Sequence, residues 1–490
     1  MASISSAGIG SGLDVSSIVT QLMAVEKAPL QQMQSQASTI QNKLSAYGKI
    51  QSFVSALRDA ASTLTKPTTW GDTTATSGDT SVFTATTDTN ATAGNYSMTV
   101  QQLASAQMVA SPASVFPVGS GTLRIDVGSL NAGGTGIDLK PGTSSVNVTI
   151  DAGDTPAQVR DKINAAKAGV TASIITDAAG SRLVLRGSDT GKDNAFTITG
   201  IDDPLDTTTP AGQRPSNLTF SATDLAAATD GLPATVSNSQ LTFTQAAVNA
   251  KATINGLAVE TSSNVMSGVL DGVTVKLAKV SATPVELTVA TNNESIKKAI
   301  TNFTDAYNSL NKYLADQTKY DAANKVSATL QGDSGTNALR SAMRGIVGGS
   351  SGGTGVFHRL SELGISPQSD GSLSVDSTKL TSALGKLSDV KDLFAKSDAA
   401  LDADNGFGAR MKKWGDALLS FDGSLTTRSD SLRRQISANS KKQDAFNDRM
   451  TAVEARMRAQ YSALDTKMAT LNGLSSYLTQ QITNMNKSST

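Results

Sequence analysis

FNDRMTAVEARMRAQYSALDTKMATLNGLSSYLTQQITNM, residues 446–485, is the stretch on which the fold turns. Its apolar positions are Phe446, Met450, Val453, Met457, Tyr461, Leu464, Met468, Leu471, Leu474, Leu478, Ile482 and Met485. They take eleven steps across 39 residues, or 3.55 residues per step. That spacing lies between the 3.5 of a heptad seam and the 3.6 of a straight helix, so the stripe keeps to one face for most of its length. Towards the other end Met33, Ala37, Ile40, Leu44, Tyr47, Ile50, Val54, Leu57, Ala61 and Leu64 step by three and four in the same way. Pro29 lacks a backbone donor and disfavours helix in the residue before it, which predicts a break near Lys27 to Ala28 behind a shorter helix from Asp14 to Glu26. A long helix with an apolar stripe is weakly stable alone in water and needs a partner. For Ile40 to Leu64 an intramolecular bundle and an interface serve equally well. For the extreme ends the interface reading is favoured, because the first dozen residues are largely Ser and Gly and offer little to cover a stripe.

Between these helical ends the apolar period changes to two. Tyr96, Met98 and Val100 alternate with polar neighbours, as do Leu123, Ile125 and Val127, then Val146, Val148 and Ile150, and later Val273, Val275 and Leu277 and Val285, Leu287 and Val289. These predict half-buried antiparallel strands. One helix is signalled among them: Thr155 as N-cap, Pro156 in the first turn, Gln158 as capping-box partner, Val159 and Ile163 as its apolar face, and Gly169 as the stop. Residues 202–230 are rich in Asp, Thr, Pro and Ala without clear period and read as a long loop. Helix returns at Asn293 with Ile296, Ile300, Phe303, Tyr307, Leu310 and Leu314, then at Leu339, Met343 and Ile346, at Leu380, Leu384, Leu387 and Phe394, and at Met411, Trp414, Leu418 and Phe421. Asp370–Gly371 followed by Leu373 and Val375 predicts a small hairpin.

The expected class is therefore α+β and multidomain: a terminal α-helical coiled-coil or bundle layer with nested β-rich inserted domains. The expected division is 1–40 with 440–490 as a terminal helical layer that orders on assembly. Next come 41–95 with 291–439 as a helical-bundle inner domain, 96–120 with 240–290 as a β-rich outer domain, and 121–239 as an inserted, outermost β-rich domain.

Composition excludes several function classes. Forty-two basic and 42 acidic residues cancel, and no cluster of Lys and Arg is interleaved with aromatics, which argues against nucleic acid or an anionic membrane as partner. No apolar run approaches the ~18 residues of a membrane span, and the N-terminus lacks the basic start and apolar core of a secretory signal. Absence of cysteine removes disulfides, thiolate metal sites and cysteine nucleophiles together, and suits a chain that travels unfolded. Gly348, Gly349, Ser350, Ser351 and Gly352 match the spacing of a nucleophile elbow, but the sole histidine, His358, lies only eight residues downstream in a glycine run, so a flexible loop is the expectation. One histidine cannot build a histidine metal site. No strand can precede Gly8, Gly10 and Gly12 to make them a dinucleotide loop. Asp402, Asp404 and Asn405 lack the spacing of a calcium loop. No enzyme, metal or cofactor is expected.

Gly10, Ser11, Gly12, Leu13 and Asp14, with Ile18 to Met23 and then Val25 to Leu30, resemble the N-terminal signature of the flagellar filament-capping family, also called flagellar hook-associated protein 2. Tyr96 to Gln107 is similar to that family's entry into its outer domains, and Val170 to Ile198 to a module inserted in flagellins and their axial relatives. Ile254 to Gly256, Asn264 to Leu277, Phe303, Tyr307 and Asn308 resemble the return to the inner domain, and Leu360 to Leu380 its C-terminal half. The resemblance implies export through the flagellar type III channel and an extracellular place at the filament tip. There a ring homo-oligomer, a pentamer in this reading, helps flagellin subunits fold and insert and prevents their loss. It also implies contact with flagellin and with the hook-filament junction protein, and a cytoplasmic export chaperone on roughly Tyr461 to Met485. Interface residues are then expected at Leu13, Ile18, Leu22 and Val25 from one end and at Leu464, Met468, Leu471, Leu474, Leu478 and Ile482 from the other. Two alternatives stay open: another axial protein such as flagellin or a junction protein, and a surface adhesin, for which 4% aromatic residues supply little sugar platform.

Overall fold

The computed structural model describes residues 14–228, 241–352, 355–397 and 401–488. Two compact units divide the chain: Met1–Trp70 with Asn293–Thr490, and Gly71–Asn292 between them.

The first unit opens with α1 (Val15–Glu26), α2 (Ala28–Thr65) and the single turn α3 (Pro67–Trp70). Asp14 caps α1 by accepting from the Ser17 amide at 2.9 Å, which satisfies one of the amides a helix start leaves open. Lys27 separates α1 from α2 where Pro29 forbids a continuous ladder, as the sequence predicts. On α2 the side chains of Ile40, Tyr47, Ile50, Val54, Leu57, Ala61 and Leu64 are buried. Trp70 closes the end of this core, its indole N–H donating to the Leu64 carbonyl at 2.8 Å.

In the second unit two cores follow one another. A five-stranded antiparallel sheet runs in the order Thr73–Ser77, Val285–Thr291, Gly94–Gln102, Ala250–Ile254, Leu257–Thr261. A three-stranded sheet runs Val265–Leu270, Val273–Leu277, Phe83–Thr87. Met98, Val100, Leu287, Val275 and Phe83 fill the core of these sheets. Two further antiparallel sheets enclose the other core. One contains Ala195–Asp202, Gly121–Leu130, Ile137–Leu139 and Val146–Ile150, and the other Thr242–Gln245, Met108–Ala110, Gly180–Gly187 and Val170–Asp177. Helix α4 (Pro156–Ala166) packs Val159 and Ile163 onto this core, and Thr155 and Gln158 form the expected capping box. Its ladder ends at Lys167 in the left-handed region, two residues ahead of Gly169.

Residues 202–230 are not the featureless loop that their composition suggests. They carry the 3-10 turns Ala211–Gln213 and Pro215–Leu218 and helix α5 (Ala222–Ala228), and bury Leu218, Phe220 and Leu225. Single-turn elements are too short to show a period. Phe220 is tied to Ile198 by two backbone hydrogen bonds of 2.7 and 2.9 Å and stacks on Phe243 at 6.0 Å. Residues 229 and 230 lie outside the described residues.

The chain re-enters the helical unit through α6 (Asn293–Thr318), α7 (Ser334–Gly348), α8 (Ser377–Ala383), α9 (Leu387–Ala395), α10 (Phe407–Leu419) and α11 (Ser424–Ser488). Ile296, Ile300, Phe303, Tyr307, Leu310 and Leu314 meet the buried face of α2, and Met343, Phe394, Met411, Leu425 and Leu432 complete that core. Each such fully buried side chain contributes ~1.5–3 kcal/mol relative to exposure. The hairpin forms as expected, with Ile365–Pro367 pairing with Leu373–Val375. Gly371 has φ +83°, a left-handed conformation that glycine adopts without strain. The α10 stripe ends sooner than its period: Leu419 is the last helical residue, and Phe421 stands 90% exposed in the next turn.

Candidate assembly surface

The two ends of the chain meet in a small apolar cluster of their own. Val15, Val19 and Met23, at successive i, i+4 positions of α1, are buried against α11 together with Met450, and Phe446, Val453, Met457 and Tyr461 flank the contact. These three α1 residues were not among the expected interface positions, although their four-residue spacing is a signal the sequence carries. Ile18, Leu22 and Val25 lie off that face: Ile18 is half-buried, Leu22 is 38% exposed and Val25 74% exposed. Leu13 lies outside the described residues.

Further along α11 the stripe loses its cover. Met468 is half-buried, whereas Leu464, Leu471, Leu474, Leu478 and Ile482 are between 47% and 59% exposed, and Tyr477 and Met485 are open as well. No side chain from Met468 to Asn486 is charged, so this face is apolar and electrically neutral. Contiguous apolar surface of this kind marks an interaction site in a folded protein. No helix among the described residues is long and apolar enough to cross a membrane.

The base of α11 is pinned by a half-buried polar cluster. Asp333, the N-cap of α7, accepts from the Thr336 amide at 2.9 Å, from the Tyr47 hydroxyl at 2.7 Å and from Arg428 Nη2 at 3.1 Å. Burial alone would raise the Asp333 carboxyl, yet the Tyr47 hydroxyl, the Thr336 donors and Arg428 hold it below its ordinary value. Burial and the adjacent Asp333 carboxylate push the Tyr47 phenol up. Deeper in the bundle, burial raises Tyr307 to about 12, with Arg344 and Arg340 opposing the shift.

The glycine run at 348–352 does not have the context of a nucleophile elbow. Gly348 is the last residue of α7, and Ser350, which holds the nucleophile position of the motif, follows on irregular backbone, where the elbow needs a strand before it and a helix after it. Ser351 meets His358 only through the backbone, its amide donating to the His358 carbonyl at 2.8 Å. Asp402 is bound to Lys413 Nζ at 2.8 Å. Gly8, Gly10 and Gly12 lie outside the described residues.

Helical ends that meet beside an uncovered apolar stripe, with β domains inserted between them, define an assembly protein. Profiles of known families narrow the class: that for the N-terminus of flagellar hook-associated protein 2 matches residues 11–107, and that for its C-terminus residues 247–473. Between them, residues 129–189 match the flagellin hook IN motif. Flagellar hook-associated protein 2 of Escherichia coli strain K12 is 33% identical over 503 residues, covering 100% of both chains. The A-type protein of Pseudomonas aeruginosa is 31% identical over 98% of this chain and 97% of its own. The crystal structure of the D1-D2-D3 domains of the flagellar cap protein FliD from Escherichia coli superposes with a TM-score of 0.59 at 28% identity, over 79% of this chain and 99% of that one. The chain belongs to the flagellar hook-associated protein 2 family, whose members are structural proteins of the bacterial flagellum.

Proposed function

We infer that this chain caps the distal tip of the flagellar filament, where it self-associates, assists the folding and insertion of exported flagellin, and keeps flagellin from being lost. The observation that carries this reading is the uncovered stripe from Leu464 to Met485, free of charged side chains from Met468 onward, on the last helix of a chain of this family. A cap must grip the filament end and let go each time a subunit is inserted. An apolar face without ion pairs suits repeated exchange, because no buried charge is left unpaired at each release. Ordering of the terminal segments 1–40 and 440–490 on contact offsets part of the contact energy and keeps that exchange reversible.

Within this reading Ile18, Leu22 and Val25, together with Leu13, contact filament subunits or neighbouring copies, and Leu464, Met468, Leu471, Leu474, Leu478 and Ile482 do so from the other end. Five copies form the ring, which sits on flagellin beyond the hook-filament junction protein. Before export a cytoplasmic chaperone covers roughly Tyr461 to Met485. The mechanism is steric and conformational, with no catalysis and no cofactor. Deleting the gene in its own host and measuring flagellin in attached filaments and in the medium tests it. Soluble flagellin spilling from bare hooks, reversed by the full chain, supports the cap; normal filaments in the deletion strain would sink it.

A further inference from the structure

A sheet ends in strands whose outer N–H and C=O groups can pair with another chain, and folded proteins cover, bulge or charge such edges. In the core that holds Leu185 and Phe196 two edges are managed in this way. Along Ala195–Asp202 the outer positions are taken in turn. Gln107 bonds both backbone groups of Phe196 at 2.8 Å, Phe220 bonds both of Ile198 at 2.7 and 2.9 Å, and Thr219 Oγ1 accepts from the Gly200 amide at 3.0 Å. Thr242–Gln245, an edge strand of the second sheet, is broken by a register shift between Phe243 and Gln245.

The opposite edge of that second sheet is different. Val170–Asp177 pairs with Gly180–Gly187 along its whole length without a shift. Its sequence, VTASIITD, has neither proline nor lysine, and its one charge, Asp177, is held by Arg182 at 2.7 Å. Ala172 turns its backbone away from the partner strand, where Asn164 of α4 covers it: the Ala172 amide donates to Asn164 Oδ1 at 2.7 Å and the Ala172 carbonyl accepts from Asn164 Nδ2 at 2.9 Å. Alternation along an antiparallel ladder points the N–H and C=O groups of Ile174 and Thr176 the same way. Neither pair has a partner among the described residues. Between them Ile175 is 55% exposed, and Thr176 is exposed as well.

Two open backbone pairs, two residues apart on a straight and uncharged edge, fit an added strand: its main chain supplies the hydrogen bonds and its alternate side chains lie beside Ile175. A second copy of this chain is the poorer occupant, because edge-to-edge pairing of two identical strands is two-fold and closes no ring of five. Main-chain recognition is also tolerant of sequence, which suits a chain still extended and offering different stretches in turn.

We propose that the outer edge of Val170–Asp177, at Ile174 and Thr176, is a strand-addition site for an extended, uncharged stretch of a polypeptide that has not yet folded. The proposal rests on the reading that this protein assists the folding of exported flagellin, and gives that assistance a place separate from the terminal stripe.

Hydrogen–deuterium exchange of the full-length chain, resolved to single amides, tests it, with host flagellin freshly diluted from denaturant as the probe and folded flagellin as the control. Ile174 and Thr176 should exchange fast in the free chain and slow on adding the unfolded probe, but not the folded one. Ser173 and Ile175, already bonded in the ladder, should be slow throughout. Ile175→Lys puts a charge on an exposed position, and Thr176→Pro removes an outward donor while leaving the ladder whole. Each should keep the parent's thermal unfolding and raise the half-saturating flagellin concentration about tenfold or more. Unchanged exchange at Ile174 and Thr176, or slowing that both variants leave intact, would overturn the proposal. So would slowing that grows with the chain's own concentration in the absence of flagellin, which would make a second copy the occupant. The flagellin-spill assay decides the cap reading by itself: rescue by the full chain without any slowing at this edge would end the proposal and leave the cap reading standing.

Discussion

Asp333 concentrates more structural work than any other carboxylate of the helical unit. It caps α7 and takes the Tyr47 hydroxyl and the Arg428 guanidinium, so Asp333→Ala removes a cap and leaves both partners short of an acceptor. We expect a loss of about 2–3 kcal/mol in urea unfolding with an unchanged m-value. Its folded-state value is lowered, so its contribution is full above the unfolded carboxylate range and is lost as pH falls through the folded value. Stability should therefore decline on acidification below about pH 4, and Asp333→Asn should flatten that decline. Tyr307 works in the opposite direction. Raised to about 12, it contributes stability that is complete below the ordinary phenol value of 10.0 and is lost as pH rises through 12. Chemical unfolding followed from pH 9 to 12 should show the fall, and Tyr307→Phe should remove part of it.

At the scale of elements, the stripe of α11 is covered by α1 around Met450 and open from Leu464 onward, and substitutions separate the two stretches. Leu478→Asp with Ile482→Asp alters side chains that are already exposed, so thermal unfolding should stay within about 0.5 kcal/mol of the parent, while capping, read as flagellin spilled into the medium, is lost. Val19→Asp instead buries an unpaired carboxylate between α1 and α11 and should detach α1, read as faster amide exchange over Val15–Glu26. The stripe was legible because its period runs unbroken for forty residues. Where its cover stops was not, since period is blind to the length of a partner: the twelve residues of α1 reach only ~18 Å at 1.5 Å per residue. The same blindness placed Phe421 on α10, because the spacing from Leu418 fits although the ladder has already closed at Leu419. The strands around Met98, Ile125, Val148, Val275 and Leu287 were legible through alternation; Leu218, Phe220 and Leu225 were not, because their burial rests on 3-10 turns and one short helix with no repeat to read.

At the scale of the whole molecule the helical core and the terminal contact are separable. The core reaches from Ile40 to residues near Ile436, while Val15, Val19, Met23 and Met450 form a cluster apart. A chain trimmed to residues 40–439 should remain folded by circular dichroism and lose capping; unfolding would place the ends in the core. Because no charge lies between Met468 and Asn486, assembly through that face should change little over a roughly tenfold range of salt, which alters screening of ionic contacts. The chain's division also sets an order of events in time. The unit Gly71–Asn292 is continuous in sequence, whereas its neighbour is assembled from residues before 71 and after 292. Whichever end emerges first from a narrow channel, the β-rich unit can close on itself while the helical bundle still waits for its other half. The parts that grip and release would then mature last, at the place where they are needed.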